Sequence, residues 1–287
     1  MTALHVRAPG ASCFVEDLGR PGLARLGVGR SGAADRGALA LVNRLVGNPP
    51  EAAALEVLLG GFRAVADADV WIAVAGARGA LLVDGAEIAP ARAVLLPAGA
   101  ELELRPAEHG LRYVLGVRGG IAVPEVLGSR SRDTLAGLGP APVLAGDVLP
   151  VGAEPQAPVA LLDREAAFAP ADGPVVLELL PGPRSDWFTD AARTLLFDAE
   201  WRASAAADRV GTRLDGPALE RLVGGELASE GTVPGSIQVS TSGQPTILGP
   251  DRPVTGGYPV VAIVAPASLD AVAQLRPGQP VRFRHAR

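Results

Sequence analysis

Ser229–Pro259, SEGTVPGSIQVSTSGQPTILGPDRPVTGGYP, is the stretch on which the reading of this chain turns. Its β-prone runs, Ile237 to Val239 and Thr246 to Leu248, are short and alternate with turn signals at Pro234-Gly235, Gly243, Gly249-Pro250 and Gly256-Gly257. Such a pattern needs several tight reversals in a row, which short strands can make and long helices cannot. Two of the reversals, Asp251-Arg252 and Thr255-Gly256-Gly257-Tyr258, set carboxylate, guanidinium and hydroxyl groups where the backbone bends, a place where scaffolds commonly hold a site. Glycine at such a bend also lets a ligand approach the main chain closely. Asp251 and Thr255 have a simpler use as well, the satisfaction of turn amides, and both readings stay open.

Composition extends the β reading outward. The chain has 287 residues, 48% of them hydrophobic but only 4% aromatic, with Gly 36 and Pro 26. A core of Val, Leu, Ile and Ala linked by many turns is expected, in one large domain or two ordinary ones. No apolar run is long enough to span a bilayer, and MTALHVRAPG lacks a basic region followed by an apolar one, so neither a membrane anchor nor a secretion signal is expected and the cytoplasm is the expected location.

Missing residue types restrict the chemistry. All 26 basic residues are Arg, which removes the phosphate loop that ends in Lys, Schiff-base chemistry and any lysine to carry biotin. Cys13 is the only cysteine, so no internal disulfide or multi-cysteine metal site can form, and beside Phe14 it reads as core. His5, His109 and His285 are scattered without ligand spacing, and no metal site is expected. If the protein is an enzyme, proton transfer falls to Asp or Glu, with Arg holding an anion. The net charge of -5 and the lack of a basic block argue against nucleic acid as a partner.

Along the chain, Val6 to Val15 reads as an extended segment broken at Pro9-Gly10 and followed by the loop EDLGRPG. Leu39, Val42, Leu45 and Val46 recur at helical spacing, which predicts one helix over Ala33 to Val46 with Ser31 as its N-cap. Asp35 and Arg36 sit in its first turn, where the carboxylate favours the helix dipole. From Ala54 to Pro150 the pattern is β, with runs at Leu55 to Leu59, Val70 to Ala75, Ala80 to Val83, Ala93 to Leu96, Glu101 to Arg105 and Leu111 to Val117. That spacing suits a closed barrel or a sandwich. The loop GSRSRDT, Gly128 to Thr134, offers either an anion grip or a solvated turn. Domains are expected over 1–152 and 175–287, joined by an Ala- and Pro-rich linker over 153–174. In the second domain, strands are expected at Val175 to Leu180, Val260 to Val264 and Val281 to Arg284. Short helices are expected at Trp187 to Glu200, with Trp187, Ala191, Leu195 and Phe197 inward, and at Ala267 to Gln274. Asp-Arg recurs at Asp35-Arg36, Asp163-Arg164, Asp208-Arg209 and Asp251-Arg252.

Taken together, VEDLGRPG (Val15 to Gly22), SGAADR (Ser31 to Arg36), LVGNPPEAAALE (Leu45 to Glu56), GSRSRDT, LPGPRSDWF (Leu180 to Phe188), ADRVG (Ala207 to Gly211), SEGTVPGSIQV and DRPVTGGYP resemble one family. It is the biotin-dependent carboxyltransferase or allophanate hydrolase subunit 2 family, which includes KipA-type proteins regarded as the C-type component of 5-oxoprolinase. The resemblance covers nearly the whole chain in order. Glu16 stands where Gln is usual, and Ala34 and Gly37 replace bulkier residues.

The resemblance implies a mainly β fold with a few short helices and two cyclophilin-like β-barrel domains. It implies ATP-dependent hydrolysis of 5-oxo-L-proline to L-glutamate, together with a KipI-type partner (the B-type component of 5-oxoprolinase) and a third protein (the A-type component). ATP would be a co-substrate of the complex, its site not placed by the resemblance, and no biotin would be attached to this chain. Two other functions compete: carboxyl transfer from carboxybiotin to urea or a related amide, and a non-enzymatic regulator that binds a KipI-like kinase inhibitor. A composite site is expected from motifs that are polar, lie at turns and match the family pattern. Asp35, Glu230 and Asp251 would handle protons, and Asp17, Arg20, Arg36, Arg252, Thr255, Gly256, Gly257 and Tyr258 would bind substrate.

Overall fold

The computed structural model describes residues 2–160, 170, 172–225 and 227–286. The chain adopts the expected mainly β fold with short helices and divides into two compact units. The first comprises Met1–Arg20, Ser31–Asp133 and Gly137–Ala171; the second comprises Pro21–Arg30, Thr134–Ala136 and Asp172–Arg287. Of the expected linker, 161–169 and 171 lie outside the described residues, and so does the Asp163-Arg164 pair.

In the first unit, β1 (Ala3–Pro9), β2 (Ser12–Glu16), α1 (Arg36–Leu45), β3 (Ala54–Leu58), β4 (Phe62–Ala66) and β5 (Val70–Arg78) are followed by β6 (Leu81–Val83), β7 (Ala86–Glu87), β8 (Ala93–Leu96), β9 (Glu101–Leu104), β10 (His109–Val117) and β11 (Val148–Pro150). They form two sheets, ordered β11-β1-β4-β9-β6-β7 and β2-β3-β10-β5-β8. One apolar cluster takes Leu4, Phe62, Leu102 and Leu104 from the first sheet and Leu55, Ile72, Tyr113 and Leu115 from the second, so the core lies between them. Of the barrel and the sandwich that the strand spacing allows, this unit takes two facing sheets. Cys13 is buried in that core, and burial pushes its thiol far up, which leaves it protonated and unreactive.

Strand periodicity places α1. Along β5 and β10, Ile72, Val74, Tyr113 and Leu115 point into the sandwich, while Ala73, Ala75 and Val114 point outward and pack on Leu39, Val42 and Leu45 of α1. Gly116 lies where a Cβ would stand 2.7 Å from Val42, so its missing side chain is what lets the helix approach the sheet. The helix begins later than its periodicity suggests. Asp35, not Ser31, is the N-cap, accepting a hydrogen bond from the Ala38 amide at 2.8 Å. Ser31 instead adopts φ 55° and donates to the Arg132 carbonyl at 3.0 Å.

The second unit contains β12 (Val175–Pro181), α2 (Asp190–Asp198), β13 (Trp201–Ala203), β14 (Gly211–Asp215), β15 (Glu230–Gly231), β16 (Ser236–Val239), β17 (Pro245–Leu248), β18 (Thr255–Gly256), β19 (Val260–Val264), α3 (Leu269–Ala273) and β20 (Pro280–His285). Seven of these strands close into a barrel in the order β12-β19-β16-β17-β14-β13-β20. Every pair is antiparallel except β12 with β20, which runs parallel and seals the ring. The interior holds Leu177, Trp201, Leu214, Ile237, Ile247 and Phe283. α2 buries Ala192 and Leu196; of the residues expected inward, Trp187, Leu195 and Phe197 are partly buried against the same core, and Ala191 is exposed. Thr189 caps the helix, accepting from the Ala192 amide at 3.1 Å.

Candidate functional site

The expected site residues of the first unit surround the start of α1. Asp17, 6% exposed, accepts hydrogen bonds from the Gly19 amide (2.7 Å), Ser129 Oγ (2.6 Å), Ser131 Oγ (2.6 Å) and the Arg130 amide (2.6 Å). The loop GSRSRDT is therefore pinned onto Asp17 by its two serines and is not a solvated turn; Ser129, Ser131 and Asp133 are all buried. Arg20 is buried as well, donating from Nη2 to the Ser131 carbonyl and from Nε to the Val126 carbonyl at 3.4 Å. Asp35 is buried as the helix cap. Arg36 is half-buried and reaches the Leu18 and Ser31 carbonyls, each at 3.4 Å. Two further buried groups, missed in the sequence, join this cluster. Glu56 pairs with Arg112 at 3.3 Å and accepts from the Ala34 amide at 2.8 Å.

In the second unit, the turn that carries Asp251 is held by an ion pair 42 residues away in sequence. Asp251 is 0% exposed and takes Arg209 in two-pronged fashion, Nε to Oδ2 at 2.9 Å and Nη2 to Oδ1 at 3.1 Å. The Thr134 amide and hydroxyl add bonds to Oδ2 at 2.9 and 2.7 Å. Arg209 lies in the ADRVG motif, but nothing local in the sequence announces its partner. Arg252 donates to the Thr232 carbonyl at 3.3 Å.

Glu230 and Thr255-Gly256 come together as the β15–β18 ribbon, with Glu230 opposite Gly256. The Glu230 carboxylate is paired with Arg184 through both guanidinium Nε (3.0 Å) and Nη2. That hydrogen bond holds the Glu230 carboxyl below the usual glutamate range and raises Arg184 in turn. Glu230 is thus the one expected proton carrier that keeps solvent access, about a third of its side chain being exposed, and it is an anion at neutral pH. Gly257 and Tyr258 continue this turn. Tyr258 is exposed, its carbonyl accepts from Gln238 Nε2 at 3.2 Å, and the Arg221 guanidinium lies 5.9 Å from the centre of its ring.

Tyr258 also lines a cavity of about 500 Å³ on the outer face of the barrel, within the usual size range of a small-molecule site. Register explains how it forms. Arg213 on β14 stands opposite Thr246 on β17, and Thr246 stands opposite Gln238 on β16. Leu214, Ile247 and Ile237 fill the barrel, so the residues alternating with them face outward into the cavity. Among the described residues, no group of three or more His, Cys, Asp or Glu side chains is arranged to hold a metal ion.

Residues 26–285 match the sequence profile of the carboxyltransferase domain, subdomain A and B. The chain belongs to this family. It is 35% identical to the C-type component of Escherichia coli 5-oxoprolinase over 284 residues, which is 98% of this chain and 90% of that protein. Among solved structures, TTHA0988 superposes with a TM-score of 0.89 at 38% identity, covering 99% of this chain and 55% of that one. The urea amidolyase of K. lactis superposes with a TM-score of 0.92 at 30% identity, covering 99% of this chain and 19% of that one. The chain thus spans nearly all of its bacterial relative but about half or less of these solved chains. In those proteins the carboxyltransferase fold is one part of a longer polypeptide.

Proposed function

We propose that this chain is the C-type component of an ATP-dependent 5-oxoprolinase, which hydrolyses 5-oxo-L-proline to L-glutamate in the cytoplasm together with a KipI-type B component and a third, A-type component. The observation that carries this reading is the end-to-end correspondence with the C-type component of 5-oxoprolinase, over 98% of this chain and 90% of the relative. The chemistry suits the residues. A lactam carbonyl resists water, and phosphoryl transfer from ATP to its oxygen makes the ring carbon electrophilic. Two water molecules are consumed overall as the C–N bond opens, the nitrogen gains protons, and ADP and phosphate leave. Such a reaction asks for guanidinium groups to hold anions and carboxylates to manage protons. ATP is a co-substrate of the assembly and is not assigned to residues of this chain.

Within this reading, Glu230 is the expected proton carrier that keeps solvent access, whereas Asp251 and Arg209 hold the turn that carries Arg252. Asp17 and Asp35 hold the loop and helix start of the first unit. A carboxyltransferase role is the second reading, favoured by the match to urea amidolyase. The test is reconstitution. The chain is combined with its two partner proteins, 5-oxo-L-proline and ATP, and glutamate and phosphate are measured. Equimolar release without biotin supports the hydrolase. Product formed only with a carboxybiotin-bearing protein and urea supports transfer, and tight association with the KipI-type protein without any turnover supports a regulator.

A further inference from the structure

The outer cavity of the barrel has a polar pattern that points to a ligand class. Gln244 donates from Nε2 to the Gly216 carbonyl at 3.1 Å, and Gln238 donates from Nε2 to the Tyr258 carbonyl at 3.2 Å. A carbonyl can only accept, so each bond fixes its carboxamide and leaves Oε1 as the acceptor. Gln244 Oε1 is buried with no hydrogen-bond partner among the described residues. A buried acceptor left unmade is costly, and it is satisfied by a ligand that brings an N–H. Arg213, two strands from Gln238 and exposed, forms no ion pair among the described residues. Of the acids along the cavity, Asp208 already accepts from the Val210 and Gly211 amides at 2.8 and 3.0 Å, and Asp215 is exposed to solvent.

We propose that this cavity holds a small amide that also carries a carboxylate, with Arg213 taking the carboxylate and Gln244, assisted by Gln238, accepting the amide N–H. For the identity of that ligand, 5-oxo-L-proline, the proposal rests on the 5-oxoprolinase reading; for its chemical class it rests on the cavity alone. Arg213 is then the residue that separates a carboxylated lactam from urea, which has the N–H groups but no anion. A guanidinium–carboxylate contact is a charge-assisted one and gives selectivity of about 10- to 100-fold.

The experiment titrates the full ¹⁵N-labelled chain with 5-oxo-L-proline, 2-pyrrolidinone and urea. It follows the carboxamide resonances of Gln238 and Gln244 and the Nε–H resonance of Arg213. The expected result is saturable shifts with 5-oxo-L-proline and binding of 2-pyrrolidinone and urea about 10-fold or more weaker. Arg213→Ala brings 5-oxo-L-proline down to the level of 2-pyrrolidinone, while Gln244→Leu weakens both lactams alike. Equal binding of the two lactams by the wild type, no saturable shift with 5-oxo-L-proline, or an Arg213→Ala variant that binds it unchanged overturns the proposal. Turnover in the reconstituted assembly is scored separately. Glutamate production without perturbation of these resonances defeats the cavity and leaves the hydrolase reading standing. Selective binding without glutamate production defeats the hydrolase reading and leaves the cavity standing.

Discussion

Asp17 in the first unit and Asp251 in the second are both closed to water, at 6% and 0% exposure, yet they are held by different chemistry. The bonds to Asp17 come from neutral donors, two serine hydroxyls and two backbone amides. The bonds to Asp251 come from one guanidinium, which brings the opposite charge, and from the amide and hydroxyl of Thr134. A charge shared among neutral dipoles can lose one bond and keep the others, whereas a buried ion pair that loses a member strands the remaining charge in a poor solvent for it. The first arrangement ties a loop to a strand end; the second locks one turn against another.

Four measurements break or sharpen that contrast. The largest effect is expected from Arg209→Ala, which strands Asp251 and destabilises the second unit by about 3–5 kcal/mol in urea unfolding, followed at Trp187 and Trp201 in a Trp71→Phe background. An Arg209→Met, Asp251→Leu double variant recovers most of that loss, because neither charge is left behind. Asp17→Ala orphans several neutral donors and costs about 2–4 kcal/mol, with hydrogen-exchange protection lost at the Gly19 and Arg130 amides. Should Asp17→Ala prove as damaging as Arg209→Ala, the distinction between the two environments fails. Asp35→Ala removes the α1 cap at a cost of about 1 kcal/mol, and Asp35→Ser restores most of it.

The smallest effect concerns Glu230. Its carboxyl is held below its unfolded value by Arg184, so the stability it contributes is present above the unfolded glutamate pKa and is lost as pH falls through the lower folded one. An NMR titration of the side chain should show a midpoint below the ordinary glutamate range, moving upward in Arg184→Gln. A midpoint unmoved by that substitution means the pair does not persist in solution.

Strands with strong alternation or dense branching were legible in the sequence, as at Glu101–Leu104 and Val260–Val264. β4 was not, because only Phe62 among its inward positions is large; Ala64 and Ala66 carry little apolar contrast with the half-buried Val65 between them. The helix start is ambiguous in the sequence because both Ser and Asp suit a cap, and only the backbone φ of 55° at Ser31 excludes it from that role. At the site, Asp251 and Glu230 were legible as polar residues at bends. Their partners Arg209 and Arg184 were not, since pairings across tens of residues leave no local periodicity. Arg213, Gln238 and Gln244 carry little signal, because outward polar residues on a strand look like an ordinary wet face. The available signal was a pair of glutamines on neighbouring strands flanking the tight turn at Gly243.

The parallel seam between β12 and β20 has a consequence for synthesis. Val175 waits for Val281 before it gains its neighbour, so the ring cannot close until the ribosome has released nearly all of the second unit. Until then β12 presents an unpaired edge. A nascent chain stalled before residue 280 should therefore be the form most prone to chaperone capture and aggregation.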